Sequence, residues 1–152
     1  MLAVHYTPKV EEDILSETLT LKNASRQVGH LSSFVKDVLA RLPLPPKQAG
    51  EIRLAVEEAV VNVMEYAYPV GTEGNVTVEV KSDGRQVKFV ISDTGVAFDP
   101  TKRSDADTTL SAEDRPIGGL GILLVRKLMD SINYERVDGK NILTLRKTIT
   151  TT

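Results

Sequence analysis

Glu58 and Asn62 stand one helical turn apart in LAVEEAVVNVMEYAYP. Ile52, Ala55, Val56, Ala59, Val60, Val63, Met64 and Ala67 recur at three-four spacing around them, the period of a helix that lays one apolar stripe on a core. At about 100° per residue, Glu51, Glu58 and Asn62 fall together on the flank of that stripe. A carboxylate and a carboxamide beside a buried seam form a candidate site. Two further clusters could complete it: Ser92-Asp93-Thr94-Gly95 after a strand pattern, and Gly118-Gly119-Leu120-Gly121 before a helix pattern. Glycines that open a helix can present bare N–H groups and a positive dipole end to phosphates. Known phosphate templates do not fit. Gly119-x-Gly121-x-x-Leu124 lacks the third glycine of the dinucleotide fingerprint, and no Gly-x-x-x-x-Gly-Lys-[Ser/Thr] run occurs. Taken singly, each cluster has a plain explanation: a surface i,i+4 pair, a turn after a strand, loop punctuation.

The elements that must hold these residues can be read from periodicity. Residues 13–22 alternate as a first strand, with Leu15, Leu19 and Leu21 inward, and Asn23 or Ser25 is placed to cap a helix over 25–41. Pro43-Leu-Pro-Pro46 ends that helix and starts the long one, which runs to Tyr68-Pro69. Residues 75–81 and 86–92 form a hairpin around Asp83-Gly84, the second strand central. Residues 94–117 have almost no periodicity and read as a long functional loop. A short helix over 119–130 precedes strands at 131–137 and 141–149, joined by Asp138-Gly139. The order β-α-α-β-β, loop, α-β-β predicts an α+β fold, a two-layer sandwich of a mixed sheet with helices on one face.

Composition bounds the remaining choices. A chain of 152 residues, 41% hydrophobic and 26% charged, suits one soluble globular domain spanning 1–152. A net charge of -2 gives no sign of a nucleic-acid surface or an anionic-membrane surface. The N-terminus lacks a secretory pattern, and no apolar run reaches the length of a membrane span. Without cysteine there is no disulfide framework, thiolate zinc site or cysteine nucleophile, and a cytoplasmic setting is expected. His5 and His30 have no partner at metal-ligand spacing.

Together, the order and spacing of the three clusters resemble the GHKL ATPase superfamily, which takes in gyrase and histidine kinases and has a Bergerat-type ATP-binding fold. LAVEEAVVNVMEYAYP, ISDTGVAFDP and GGLGILLVRKLMD are most similar to its branch of bacterial anti-sigma-factor serine/threonine kinases. The likeness covers about residues 15–147. It implies ATP or ADP and Mg2+ as cofactors. Asn62 would be the protein ligand of Mg2+, and Glu58 the general base that takes the proton of an attacking hydroxyl. Asp93 would accept the adenine 6-amino hydrogen, and Gly95 would let the base lie against the backbone. Gly118, Gly119 and Gly121 would wrap the phosphates, with N–H groups from Leu120 and Ile122. Residues 96–117 would be the ATP lid, from which Lys102, Arg103 or Arg115 could reach a phosphate. Glu57, about 100° away from Glu58, reads as a solvated or partner-facing charge.

Two positions depart from the branch. Tyr66 stands where relatives often carry histidine. Gly139-Lys140-Asn141 replaces the Gly-Thr whose threonine reaches adenine through water, and Asn141 is the substitute because its amide both donates and accepts.

The function implied is a kinase that phosphorylates an anti-sigma-factor antagonist protein and controls a sigma factor by partner switching, as a homodimer that contacts neither nucleic acid nor membrane. The alternatives are a non-catalytic, ATP-dependent sequestering module and a stand-alone ATPase. Retention of Glu58 argues against the first, because binding alone needs no base. Against the second, no transducer domain is visible. No phospho-accepting histidine domain precedes the ATP module, which disfavours an autophosphorylating sensor kinase.

Overall fold

The computed structural model describes residues 13–102 and 119–150, with the side chains of 119–121 outside that description. Among the described residues five strands, β1 (Leu15–Lys22), β2 (Asn75–Ser82), β3 (Gln86–Asp93), β4 (Ser131–Val137) and β5 (Lys140–Thr148), form one sheet in the order β1-β2-β3-β5-β4. Helices α1 (Val28–Leu39), α2 (Pro46–Tyr66) and α3 (Gly119–Leu128) pack on it, with α2 touching both of the others. This is the expected α+β, two-layer arrangement. In one respect the sheet differs from the expectation of a mixed one: all four strand pairings are antiparallel. Both tight hairpins supply one such pairing each, and the long connections return β1 beside β2 and β5 beside β3 in the same antiparallel sense.

The strands alternate as a half-buried sheet must. In β2 and β3 every second residue is buried, with Phe89 and Ile91 at the centre, and their neighbours on the other face are partly covered. The hairpin turns use residues that accept positive φ: Gly84 (φ 91°), then Asp138 (49°) and Gly139 (77°). The Asp83 carboxylate also caps its turn by accepting the Arg85 and Gln86 N–H groups.

α2 begins on Pro45-Pro46 without a side-chain cap; a proline in the first turn lacks only an N–H that the helix leaves unpaired anyway. Its apolar stripe is fully buried, from Ile52 through Val63. Ahead of α1 a short 3-10 turn (Ser25–Gln27) replaces the first turn of the expected helix, and neither Asn23 nor Ser25 caps it. Instead, Asn23 accepts from the Gly74 N–H (2.9 Å) and donates to the Thr72 carbonyl (2.7 Å), pinning the loop after α2 to the end of β1. Among the described residues, no helix is long and apolar enough to cross a membrane.

Candidate active site

Asp93 ends β3 in the register row Leu21, Val76, Asp93, Asn141, Arg136, which crosses the whole sheet on the helix side. The buried alternation of β3 therefore delivers a carboxylate where an apolar residue would otherwise sit. Its Oδ1 accepts from the Gly95 N–H (2.8 Å) and the Asn141 Nδ2 (2.9 Å). Its Oδ2 is buried and has no partner. Burial pushes the Asp93 carboxyl above its ordinary range, against the opposing pull of the Asn141 amide, the Gly95 N–H and the Arg136 charge.

Asn62 presents the second orphan. Wholly buried at 0% exposure, it donates Nδ2 to the Glu58 backbone carbonyl (3.1 Å). A carbonyl cannot donate, so this bond fixes which end of the carboxamide is which. Oδ1 is left as a buried acceptor with no partner. Leaving such a group unsatisfied costs about 1–3 kcal/mol, so these two acceptors among the described residues suit an occupant that supplies a donor, water included, or a cation. Glu58, one turn before Asn62, is half-buried, and no hydrogen bond or ion pair among the described residues uses its carboxylate.

The end of α2 and the segment after β3 meet closely. The Val96 N–H donates to the Ala67 carbonyl (2.8 Å), and a Cβ placed on Gly95 would lie 2.1 Å from that same oxygen. Glycine is required there by packing, whatever role it has toward a ligand. Tyr66, one turn beyond Asn62, stacks on Phe98 with ring centroids 5.3 Å apart. The Tyr68 hydroxyl donates to the Asn75 carbonyl (2.6 Å) and accepts from the Thr94 N–H (3.2 Å). A 3-10 turn (Pro100–Lys102) follows, tied to α3 by the Arg126 guanidinium on the Thr101 carbonyl.

The structure thus places Glu58 and Asn62 on one helix face and bonds both Gly95 and Asn141 to Asp93. Gly119, Leu120 and Gly121 form the first turn of α3, and Ile122, next along the helix, is buried. Gly118, Arg103, Arg115 and most of the expected lid lie outside the described residues, as does His5. Lys102 is exposed. Glu57, expected as a solvated or partner-facing charge, accepts from the Ser32 hydroxyl on α1 (2.5 Å) and faces Arg53 (3.9 Å), so it joins two helices. Sequence reasoning missed Tyr134 and Arg136. Tyr134 donates to Asn141 Oδ1 (2.5 Å), and Arg136 Nη1 donates to the Gly95 carbonyl (2.9 Å). The signal was available, because a two-residue Asp138-Gly139 turn pairs Arg136 with Asn141 and puts Tyr134 on the same face. A cleft of about 660 Å³ beside Tyr66 and Tyr68 includes none of Glu58, Asn62 or Asp93.

Residues 21–147 match the histidine kinase-like ATPase domain family. The chain belongs to that family. Similar curated proteins include a serine/threonine-protein kinase, BtrW, of Bordetella bronchiseptica, 33% identical over 62% of this chain and 66% of that protein. Another is the serine-protein kinase RsbW of Listeria monocytogenes, 27% identical over 86% of this chain and 85% of the other. The chain thus spans about two thirds of the Bordetella relative. The fold is shared with a solved structure described as the RsbU and RsbW domains of a Mycobacterium tuberculosis protein. There the TM-score is 0.61 at 14% identity, covering 89% of this chain and 32% of that one.

Proposed function

We propose that the chain is a protein serine/threonine kinase that moves the γ-phosphoryl group of ATP to a hydroxyl of a separate antagonist protein, and so governs a sigma factor by partner switching. The observation that carries this reading is the pair of buried, unpartnered acceptors, Asn62 Oδ1 and Asp93 Oδ2.

Each acceptor fits one part of a magnesium–ATP complex. Asp93 Oδ2 would accept from the exocyclic amine of adenine; guanine has a carbonyl there, which a carboxylate repels. Asn62 Oδ1 is a single hard, uncharged oxygen. Among the described residues no cluster of three acidic or histidine side chains could cage a metal by itself. That donor set suits Mg2+, which keeps most of its shell as water and phosphate oxygens. When bound, the ion would neutralise charge on the transferring phosphate. The N–H groups of the first turn of α3, unpaired within the helix, would face the phosphates, with Gly118 leading in. Residues 96–117 would close over the nucleotide as its lid.

Glu58 decides between kinase and binder. Its carboxylate stands one turn from Asn62 and is engaged by no described group, so it can take a proton. The acceptor oxygen would bond to the γ-phosphorus as the bond to the β–γ bridging oxygen breaks. The hydroxyl proton goes to Glu58, and ADP leaves with the bond electrons. A phosphate dianion on the antagonist would then weaken its docking by repulsion and desolvation. The relatives' names as serine-protein kinases support the reaction class. A homodimer acting in the cytoplasm, without contact to nucleic acid or membrane, completes the proposal.

The test is incubation with γ-labelled ATP, Mg2+ and candidate antagonists from the same cell. Label on a serine or threonine of one candidate is expected. Tight ATP binding with no transfer to any candidate would favour the sequestering module instead, and phosphate release without an acceptor the stand-alone ATPase.

A further inference from the structure

Asn141 is 3% exposed and faces Asp93 across the β3–β5 pairing. A carboxamide offers two N–H donors and an oxygen with two acceptor positions. Here all four are used within the chain. Nδ2 donates to Asp93 Oδ1 (2.9 Å) and to the Val96 carbonyl (2.8 Å), while Oδ1 accepts from the Tyr134 hydroxyl (2.5 Å) and the Phe98 N–H (3.2 Å). These partners fix the orientation of the amide, since carboxylate and carbonyl oxygens cannot donate and a backbone N–H cannot accept.

We infer that Asn141 is a positioning residue: it orients Asp93 and the segment 96–98, makes no hydrogen bond of its own to the purine, and leaves Asp93 Oδ2 as the group that selects a 6-amino base. This rests on the proposed nucleotide site and departs from the water-linked adenine contact that the family resemblance implies for this position. The saturated amide ties together three segments that would otherwise be held separately: the end of β3, the loop carrying Phe98 against Tyr66, and the edge strand carrying Tyr134. A side chain with every hydrogen-bonding position filled has none to offer a ligand without breaking a buried bond.

Other groups around Asp93 would stay in place when Asn141 is changed. Gly95 donates from the adjoining loop, and the Arg136 guanidinium on β4 bonds the Gly95 carbonyl. The Tyr68 hydroxyl at the end of α2 holds Thr94, Lys140 shares a small hollow with Asp93, and the β2 partner, Val76, is apolar.

The experiment pairs a nucleotide-free readout with a double-mutant cycle. The carboxyl titration of Asp93 is followed by 13C NMR in the wild type and in Asn141→Ala. Loss of a donor that favours the charged form should move the midpoint upward. ADP binding is then measured for Asn141→Ala, Asp93→Asn and the double variant, together with a purine riboside diphosphate lacking the 6-amino group. Asn141→Ala should weaken ADP roughly ten-fold in the wild-type background, the effect of one buried hydrogen bond, and far less in the Asp93→Asn background or with the analogue. An equal loss in both backgrounds and with both ligands, or an unmoved Asp93 midpoint, would overturn the positioning role. Should the wild type bind no adenine nucleotide at all, the nucleotide reading fails, and the midpoint alone decides whether Asn141 sets Asp93.

Discussion

The Asn62 side chain donates to the backbone carbonyl of Glu58, one turn earlier on α2 (3.1 Å). That bond uses the amide's nitrogen and turns its oxygen, unpartnered, into the buried space beside the helix. It also leaves the Glu58 carboxylate outside the pair, joined to Asn62 only through its own main chain. One helix turn thereby presents a fixed neutral acceptor and a carboxylate that no described group engages, the division of labour that the proposed metal binding and proton removal would require.

Replacing that carboxylate should separate chemistry from binding. Glu58→Ala is expected to hold ATP with near wild-type affinity and to lose phosphoryl transfer by about 10²–10⁴-fold, the usual contribution of a general base. Single-turnover transfer to the antagonist, measured beside nucleotide titration, reads both. Transfer at the wild-type rate would remove Glu58 from the mechanism.

The orphaned amide oxygen makes a prediction about magnesium. In the wild type, ADP should bind more tightly when Mg2+ is present; in Asn62→Ala that gain should vanish, because the ion loses its protein ligand. Calorimetric titrations with and without the metal supply the comparison. A metal-dependent gain of wild-type size in the variant would place the ion elsewhere.

Asp93 predicts a pH dependence with a definite sign. Burial raises its carboxyl above the ordinary value in the folded protein. The ionised form offers Oδ2 as a full acceptor, whereas protonation, directed to Oδ2 because Oδ1 already accepts two bonds, would confront the adenine amine with a second donor. ADP affinity should therefore be full above the raised value and fall as pH drops through it. The loss should begin at a higher pH than an ordinary aspartate would give, with protons released on binding in that window. Asp93→Asn should flatten the acidic limb and weaken ADP by about 1–3 kcal/mol. An unchanged acidic limb in that variant would assign the dependence to another group.

Gly95 is constrained by the backbone it touches. Its absent Cβ would stand 2.1 Å from the Ala67 carbonyl oxygen, so Gly95→Ala must separate the end of α2 from the loop after β3. Overpacking of this kind costs about 1–3 kcal/mol, and each kcal/mol lowers Tm by about 2–4 °C in a domain of this size. Thermal unfolding without nucleotide should show the drop. An unaltered Tm would mean the two segments part without cost.

Much of this was legible in the chain itself. The 3.6-residue period of α2, the alternation of β2 and β3, and the Asp-Gly turns are local signals, and each appears within a few residues of its expected place. Glu58, Asn62 and Asp93 could be picked out because one short segment carries the first two and a strand end carries the third. What escaped depends on partners far apart in sequence. The antiparallel return of β1 beside β2 and of β5 beside β3 is set by packing across long connections. Glu57 reads as a solvated or partner-facing charge because nothing local reveals that Ser32 on α1 stands opposite it. Asn23 resembled a cap until the loop around Gly74 proved to be its partner. Asn141 reads as a versatile amide, but only the folded arrangement of β3, β4 and the loop after β3 shows that Asp93, Val96, Phe98 and Tyr134 already occupy it.

The most direct check is a crystal structure with Mg2+ and a non-hydrolysable ATP analogue. Asn62 Oδ1 should lie about 2.0–2.1 Å from the ion, and Asp93 Oδ2 within hydrogen-bond distance of the adenine amine. A nucleotide bound with Asn62 turned from its phosphates, or with its purine away from Asp93, would contradict the account.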